Sequence, residues 1–137
     1  MKKDVIERYG FGVMADKDEM PNIFSHSDRI LVIDMKDRKE IIHEEYRINP
    51  HAKICRTKYT KPTDPGEGIT EKELQIYREL ADMVKDCKYT IGYNLGYFPK
   101  LAMEKTDTLY VMQSVPTKPR EHIKHLIENR AYAGFRD

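Results

Sequence analysis

The chain lacks several features that would assign it to a familiar class of protein. It has no tryptophan and only two cysteines, Cys55 and Cys87, which lie far apart without a C-x-x-C partner. This excludes a sequence-evident zinc ribbon, redox dithiol motif or disulfide scaffold. No apolar run approaches the roughly 20 residues that a membrane helix needs, and the first ten residues lack the apolar core of a signal peptide. We therefore expect a cytoplasmic protein.

A strong charge of one sign is also missing. The net charge is +1, although 34% of the residues are charged and 39% are hydrophobic. Such a balance gives no global attraction to nucleic acid or to an acidic membrane, so electrostatic recognition has to be local. With 137 residues the chain predicts a single domain spanning 1–137, with a core over about 9–131 and flexible termini.

Five apolar runs, rich in β-branched and aromatic residues, predict strands over 9–15, 30–35, 40–48, 89–93 and 108–112. The charged residues 36–39 predict a hairpin turn between the second and third strands. Residues 2–8 are also charged and predict an N-terminal extension. Three consecutive strands with short connections favour antiparallel pairing.

A helix over 71–85 has the clearest local signal. Thr70 and Glu73 form a T-x-x-E capping box, and apolar residues follow at helical spacing. Pro99 predicts a short helix over 98–105, and Pro116 with Thr117 precedes a last amphipathic helix. The inward face of that last helix is predicted to include Ile123, Leu126 and Ile127. Residues 49–68 contain three prolines, two glycines and no strong period, which predicts a long loop.

The order of these elements predicts an α/β fold with a ribonuclease H-like motif. Its mixed five-stranded sheet would have three antiparallel strands followed by two parallel strands, with flanking helices. The last two strands flank a helix and would therefore pair parallel through a right-handed crossover. The glycine turn after the fourth strand, at Asn94 and Gly96, then lies at the carboxyl end of the sheet, where open α/β folds bind ligands.

Four short motifs in this order resemble those of the small dinitrogenase iron-molybdenum cofactor accessory proteins. The motifs are I-F-S-H-S-D-R at 23–29, N-P-H at 49–51, G-E-G-I at 66–69 and I-G-Y-N-L-G-Y-F-P at 91–99. The resemblance covers residues 10–129. It implies a ribonuclease H-like, non-catalytic protein that binds or carries an iron-molybdenum or iron-sulfur-type cluster during cofactor biosynthesis, a function related to nitrogen fixation.

The resemblance also implies a set of ligand-binding residues. The loop histidine of the family corresponds to His26 and its arginine to Arg29, with Ser25 beside them. Two glycine segments are implied as well, Gly66 with Gly68 at the start of the first helix and Asn94 with Gly96 at the second turn. Ser27-Asp28 replaces the usual Phe-Gly of the family, which adds a negative charge near a site for an anionic cluster.

The residues themselves give each site a plain alternative. His26 could supply a neutral nitrogen ligand to a metal or be an exposed loop histidine, and Cys55 could be a second, soft ligand or a buried thiol. The glycines at 66 and 68 could place backbone amides and a helix N-terminus near an anion, or form a plain loop. His43, His122 and His125 are read as surface residues.

Other classes of function stay open. A regulatory or protein-interaction domain of the same fold, with no bound cluster, is the main alternative. A ribonuclease H-like nuclease would need several carboxylates around two metal ions, for which Asp16 and Asp34 are the candidates. A nucleic-acid-binding module would use Lys58, Tyr59 and Lys61. The favoured partners are the anionic cluster and cofactor-assembly proteins, without nucleic acid or membrane, and the oligomeric state is left open.

Overall fold

The structure, a computed structural model, describes residues 4–113 and 118–129. The strands are β1 (Ile6–Val13), β2 (Arg29–Lys36), β3 (Glu40–Ile48), β4 (Tyr89–Gly92) and β5 (Leu109–Met112). The helices are α1 (Ala52–Thr57), α2 (Glu71–Val84), α3 (Tyr97–Glu104) and α4 (Pro119–Asn129), and a 3-10 turn covers Phe24–His26. The predicted helix start at Pro116 and Thr117 lies outside the described residues.

The five strands form one sheet in the order β3-β2-β1-β4-β5. β2 pairs antiparallel with both β1 and β3, whereas β4 pairs parallel with β1 and with β5. This confirms the predicted mixed sheet, and the order and directions are those of a ribonuclease H-like motif. Because β1 and β4 are parallel, their last residues lie at the same end of the sheet, which we call its carboxyl end.

Apolar side chains cover both faces of the sheet because the strands alternate their side chains between two helical layers. On one face Ile30 and Val32 pack with buried residues of α2 and α3. On the other face Leu31 and Ile33 pack with Ile123 and Leu126 of α4. We call these the α2 face and the α4 face. No helix in the described ranges is long and apolar enough to cross a membrane.

The structure corrects several local predictions. The predicted loop 49–68 contains α1, and β1 begins at Ile6 within the predicted extension. β5 lies at one edge of the sheet. His122, interpreted as a surface residue, is only 2% exposed and its ring lies 6.2 Å from that of Phe11, whereas Ile127 is 38% exposed. Both residues differ from prediction because α4 packs its His122 side against the sheet and leaves its Ile127 side partly exposed to solvent.

The ring of Phe24 lies directly on the backbone of two neighbouring strands. A Cβ atom at Gly12 of β1 would lie 2.8 Å from this ring, and one at Gly92 of β4 would lie 2.9 Å from it. Phe24 is 1% exposed and packs edge-on against Tyr110, with ring centroids 5.6 Å apart. Glycine at both positions is therefore what allows the loop between β1 and β2 to dock on the sheet.

The hairpin between β2 and β3 turns through two residues with left-handed backbones. Asp37 and Arg38 both have φ of 54°, as in a type I′ turn, which suits the twist of a hairpin but favours glycine and asparagine. Side chains hold the turn in place, since Asp37 accepts a hydrogen bond from the backbone N–H of Val5 at 2.9 Å. Arg38 donates to the buried carboxylate of Glu7 at 2.7 Å.

Glu7 is a buried charge, 3% exposed, that several donors compensate. Its carboxylate accepts hydrogen bonds from Arg38, from Lys88 at 2.7 Å and from the Tyr9 hydroxyl at 2.8 Å. Burial has the largest influence on its pKa and favours the neutral form, but the hydrogen bonds together outweigh burial and lower the pKa to about 2. The ionised form of Glu7 therefore stabilises the fold.

We predict that Gly12→Ala lowers the free energy of unfolding by about 1–3 kcal/mol, since the new methyl group must displace Phe24 and Ser27. Urea unfolding of the two proteins measures the difference. The control is Gly66→Ala, where a Cβ would meet no atom within 4 Å and the change should stay within about 0.5 kcal/mol. Equal losses in both variants would contradict the close packing of Phe24.

We predict an acid-sensitive stability that depends on Glu7. A carboxylate whose folded pKa is depressed stabilises the protein above its unfolded pKa, and this contribution is lost as the pH falls from 4.5 through about 2. The shift corresponds to about 3 kcal/mol. Glu7→Gln should lower the stability at pH 7 and flatten its dependence on pH between 5 and 2, measured by urea unfolding. Glu67→Gln, in an exposed loop, should keep the slope of the parent protein.

Candidate functional site

The carboxyl end of the sheet carries three of the predicted ligand residues, His26, Asn94 and Gly96. Asn94, just after β4, joins the β1–β2 loop: Phe24 N–H donates to its carbonyl at 2.8 Å, and its own N–H donates to the carbonyl of Asn22 at 3.0 Å. The Asn94 side-chain amide also donates to Asn22, at 3.1 Å. These bonds hold the loop that contains His26 beside the turn after β4.

His26 is half-buried, and its Nε2 lies 2.9 Å from the backbone carbonyl oxygen of Tyr59. A carbonyl oxygen can only accept a hydrogen bond, so Nε2 carries the proton and Nδ1 holds the lone pair. Any metal bound in this arrangement would therefore be coordinated through Nδ1.

The N-terminus of α3 begins at Gly96, which has φ of 92°, a conformation suited to glycine. The first two backbone amides of α3 already have hydrogen-bond acceptors within the chain. Tyr97 N–H donates to the carbonyl of Thr63 at 2.9 Å, and Phe98 N–H donates to the Thr63 hydroxyl at 3.1 Å. Thr63, only 8% exposed, therefore caps the helix from a segment remote in sequence.

One short segment, residues 59–63, thus accepts the hydrogen bonds of both the His26 imidazole and the first amides of α3. Its first residue accepts a bond from the His26 imidazole, and its last accepts two from α3. Lys61 and Pro62 between them are exposed. The His26 imidazole and the first amides of α3 are therefore both engaged by the protein's own chain. We call this stretch the 59–63 segment.

Cys55 does not lie on the surface of this site. It is fully buried in α1, and burial raises the pKa of its thiol to about 11, although a hydrogen bond from Ser25 acts in the opposite direction. Ser25 is itself only 3% exposed. In this arrangement the thiol is protonated and faces the core, so it offers no thiolate to a metal.

Arg29 points to the opposite face of the sheet. Its guanidinium lies 3.8 Å from the ring centroid of Tyr46 and 3.0 Å from the carboxylate of Asp18. Tyr46 pairs in register with Leu31, which belongs to the α4 face, so Arg29 shares that face. The structure therefore separates Arg29 from His26.

Gly66 and Gly68 lie in an exposed loop where nothing approaches them within 4 Å of a Cβ position. The helix start that follows is as predicted, since the Thr70 hydroxyl accepts a bond from Glu73 N–H at 3.1 Å. The Glu73 side chain accepts from the Tyr77 hydroxyl at 2.6 Å. No close backbone approach explains these glycines.

The carboxylates proposed for a nuclease are not neighbours. Asp34 lies near the end of β2, where Arg8 binds it with two hydrogen bonds of 2.8 and 3.0 Å. Asp16 follows β1 at the other end of the sheet. Among the described residues, no group of three or more His, Cys, Asp or Glu could hold a metal ion.

An open groove of about 530 Å³ lies at the end of the sheet opposite its carboxyl end. Its wall includes Arg8, Asp34 and Asp86, but these charges neutralise one another: Arg8 lies 2.8 Å from Asp34 and 2.6 Å from Asp86. Arg47 binds Asp86 from the other side at 2.6 Å. This network is consistent with a structural role.

Sequence reasoning missed Tyr59 and Thr63, because hydrogen bonds between segments more than 30 residues apart leave no local pattern. The only signal was the long loop itself, since loops of this length are usually functional or disordered. The described structure thus brings together His26, Asn94 and Gly96 and leaves the other predicted groups outside.

The fold is that of an α/β protein with a ribonuclease H-like motif. At the candidate site the hydrogen-bond donors are bonded to the 59–63 segment of the same chain. A solved structure, that of the protein PH0822, matches over 89% of this chain and 91% of that chain, with a TM-score of 0.62 and 15% identity. At this identity the likeness shows the fold alone. No protein-family model and no curated protein matches the chain.

We predict that Thr63→Ala loosens the contact between the 59–63 segment and α3. Loss of the cap should lower the free energy of unfolding by about 1 kcal/mol and speed hydrogen exchange at Phe98 N–H more than at Tyr97 N–H, which is bonded to the Thr63 backbone. Urea unfolding and NMR-detected exchange measure both effects. The matched control is Thr60→Ala at an exposed position of the same segment. Unchanged exchange at Phe98 in the Thr63 variant would contradict the cap.

Proposed function

We propose that the protein is a non-catalytic binding or carrier protein for an anionic metal cluster of the iron-molybdenum or iron-sulfur type, used in cofactor biosynthesis. The observation that carries the proposal is the 59–63 segment, which engages the His26 imidazole and the first amides of α3 at one end of the sheet. Groups predicted to bind one ligand are thus held by one replaceable piece of chain.

The 59–63 segment occupies the positions that an anionic ligand would take. Its two carbonyl oxygens and the Thr63 hydroxyl accept the hydrogen bonds of three donors: His26 Nε2, Tyr97 N–H and Phe98 N–H. Anions accept the same bonds more strongly, and a helix N-terminus favours negative charge. Displacement of the segment by the cluster would therefore conserve every donor.

The residues fit a cluster that is carried rather than permanently bound. Iron-sulfur clusters that stay in a protein are usually held by cysteine thiolates, whereas Cys55 is buried and protonated. The cluster would instead rest on His26 Nδ1 or Nε2 and on backbone amides. A limited set of ligands permits release to the next protein of the assembly.

The charged residues near the candidate site would not repel an anion strongly. Asp28, the acid next to the histidine loop, is neutralised by Arg56 at 2.5 Å. Lys58, just before the 59–63 segment, and Lys61 within it are exposed and would attract an anion. We propose cofactor-assembly proteins as partners and the cytoplasm as the location, with no part for nucleic acid or membrane.

Anaerobic reconstitution with ferrous iron and sulfide, followed by absorption spectroscopy, tests the proposal. The parent protein should develop charge-transfer absorption, and His26→Ala should lose at least about tenfold in affinity for the cluster, since loss of an outer-shell partner alone costs that much. His43→Ala is the matched control, because His43 is exposed on β3 and its imidazole lies 3.0 Å from a neighbouring carboxylate, that of Glu45. The control should bind like the parent protein.

Absence of uptake by the parent protein, or equal uptake by His26→Ala, would contradict the proposal. It would favour the second candidate, a regulatory or protein-interaction domain of the same fold that binds no cluster. The observation in favour of this candidate is that all three donors already have partners within the chain.

A further inference from the structure

The strand β3 is an edge strand of the sheet, and several of its large apolar side chains are exposed among charged ones. Among the described residues it pairs only with β2. Large apolar side chains along it are exposed: Ile42 by 46%, Tyr46 by 42% and Ile48 by 68%. An edge strand of nine residues presents unpaired backbone donors and acceptors to any second strand. The opposite edge, β5, has only four residues.

Two irregularities limit the part of β3 that can accept another strand. The pairing with β2 shifts between Asp34 and Met35, which leaves Ile42 as an extra residue, and such bulges disrupt regular pairing. At the other end Pro50 has no backbone N–H to donate. The regular stretch is therefore residues 43–49, and Tyr46 is its central residue.

We propose that β3 pairs antiparallel with β3 of a second copy of this chain, about a two-fold axis at Tyr46, to form a continuous ten-stranded sheet. Glu45 then lies opposite the partner's Arg47, and Glu44 lies opposite the partner's Ile48. The two Tyr46 side chains lie opposite each other. Opposite charges and apolar groups placed in this way stabilise antiparallel pairs.

Charge selects this register over its neighbours. Because side chains alternate between faces, a symmetric pair can shift its centre only by whole residues along the strand. A centre at Glu44 or at Glu45 places two carboxylates opposite each other, and a centre at Arg47 places two guanidinium groups opposite each other. Like charges directly opposite are destabilising. The centre at Tyr46 has no such pair.

The charges nearby are compatible with this arrangement. Glu44 is already bonded to Arg120 of α4 at 2.7 Å, and Arg47 to Asp86 at 2.6 Å. The guanidinium of Arg29 lies over the Tyr46 ring, 3.8 Å from its centroid. These contacts fix the side chains of Glu44, Tyr46 and Arg47 before a second copy binds, which reduces the entropy lost on association.

Sedimentation of the full chain over a range of concentrations tests the dimer itself, and single cysteines test its register. Disulfides need Cβ atoms within about 4.5 Å. Under mild oxidation Tyr46→Cys should link two copies, whereas Glu44→Cys and Ile48→Cys should not, since each would lie about 13 Å from its own counterpart. The native Cys55 and Cys87 are buried and should not react.

A charge reversal tests the pairing without cysteine. Glu45→Lys would oppose the partner's Arg47 twice, and the dissociation constant should rise at least about tenfold. Glu40→Lys, exposed on the same strand but outside residues 43–49, should have no effect. Thermal unfolding of each variant shows that the monomer remains folded.

Three results would overturn the inference. They are a monomer at every concentration, cross-linking at position 44 or 48 as efficient as at 46, and a dimer unaffected by Glu45→Lys. None of them depends on cluster binding, so this inference and the proposed function stand or fall separately.

Discussion

The contact of the Phe24 ring with the backbones at Gly12 and Gly92 is the constraint on which the rest of the structure depends. It fixes the β1–β2 loop across the point where the connections from β1 and β4 leave in opposite directions. Open α/β folds usually bind ligands at that point. Here a protein side chain fills it, so the candidate site lies further out, between His26, Thr63 and the start of α3.

The sequence predicted most of the fold because its strands are apolar runs and α2 has a capping box and a continuous apolar face. It missed α1 for a physical reason. This helix has six residues, no side-chain cap and only two buried residues, Ala52 and Cys55. Such a short element shows no helical period. Its tertiary contacts with the 3-10 turn, rather than local propensity, stabilise it.

The candidate site was predictable to the extent that topology determines it. His26, Asn94 and Gly96 follow or precede strand ends that meet at one edge, so their approach follows from the strand order. Arg29 was placed wrongly beside them because its direction depends on where β2 starts: as the first residue of that strand it shares the face of Leu31. The role of Thr63 depends on a contact across 35 residues, which no local pattern reveals.

The two ends of the sheet differ in what it would cost to open them. At the end opposite the carboxyl end, Arg38 is bonded to the carboxylate of Glu7, and both side chains are buried, so breaking this ion pair would cost about 3–5 kcal/mol. At the carboxyl end, neutral oxygens of the 59–63 segment accept the bonds of His26 and α3, each with a net value of about 0.5–1.5 kcal/mol. Hydrogen bonds to a charged ligand contribute about 1.5–3 kcal/mol each. An anion can therefore offset the loss of the segment at the carboxyl end, whereas at the opposite end it would have to displace carboxylates that already carry the same charge.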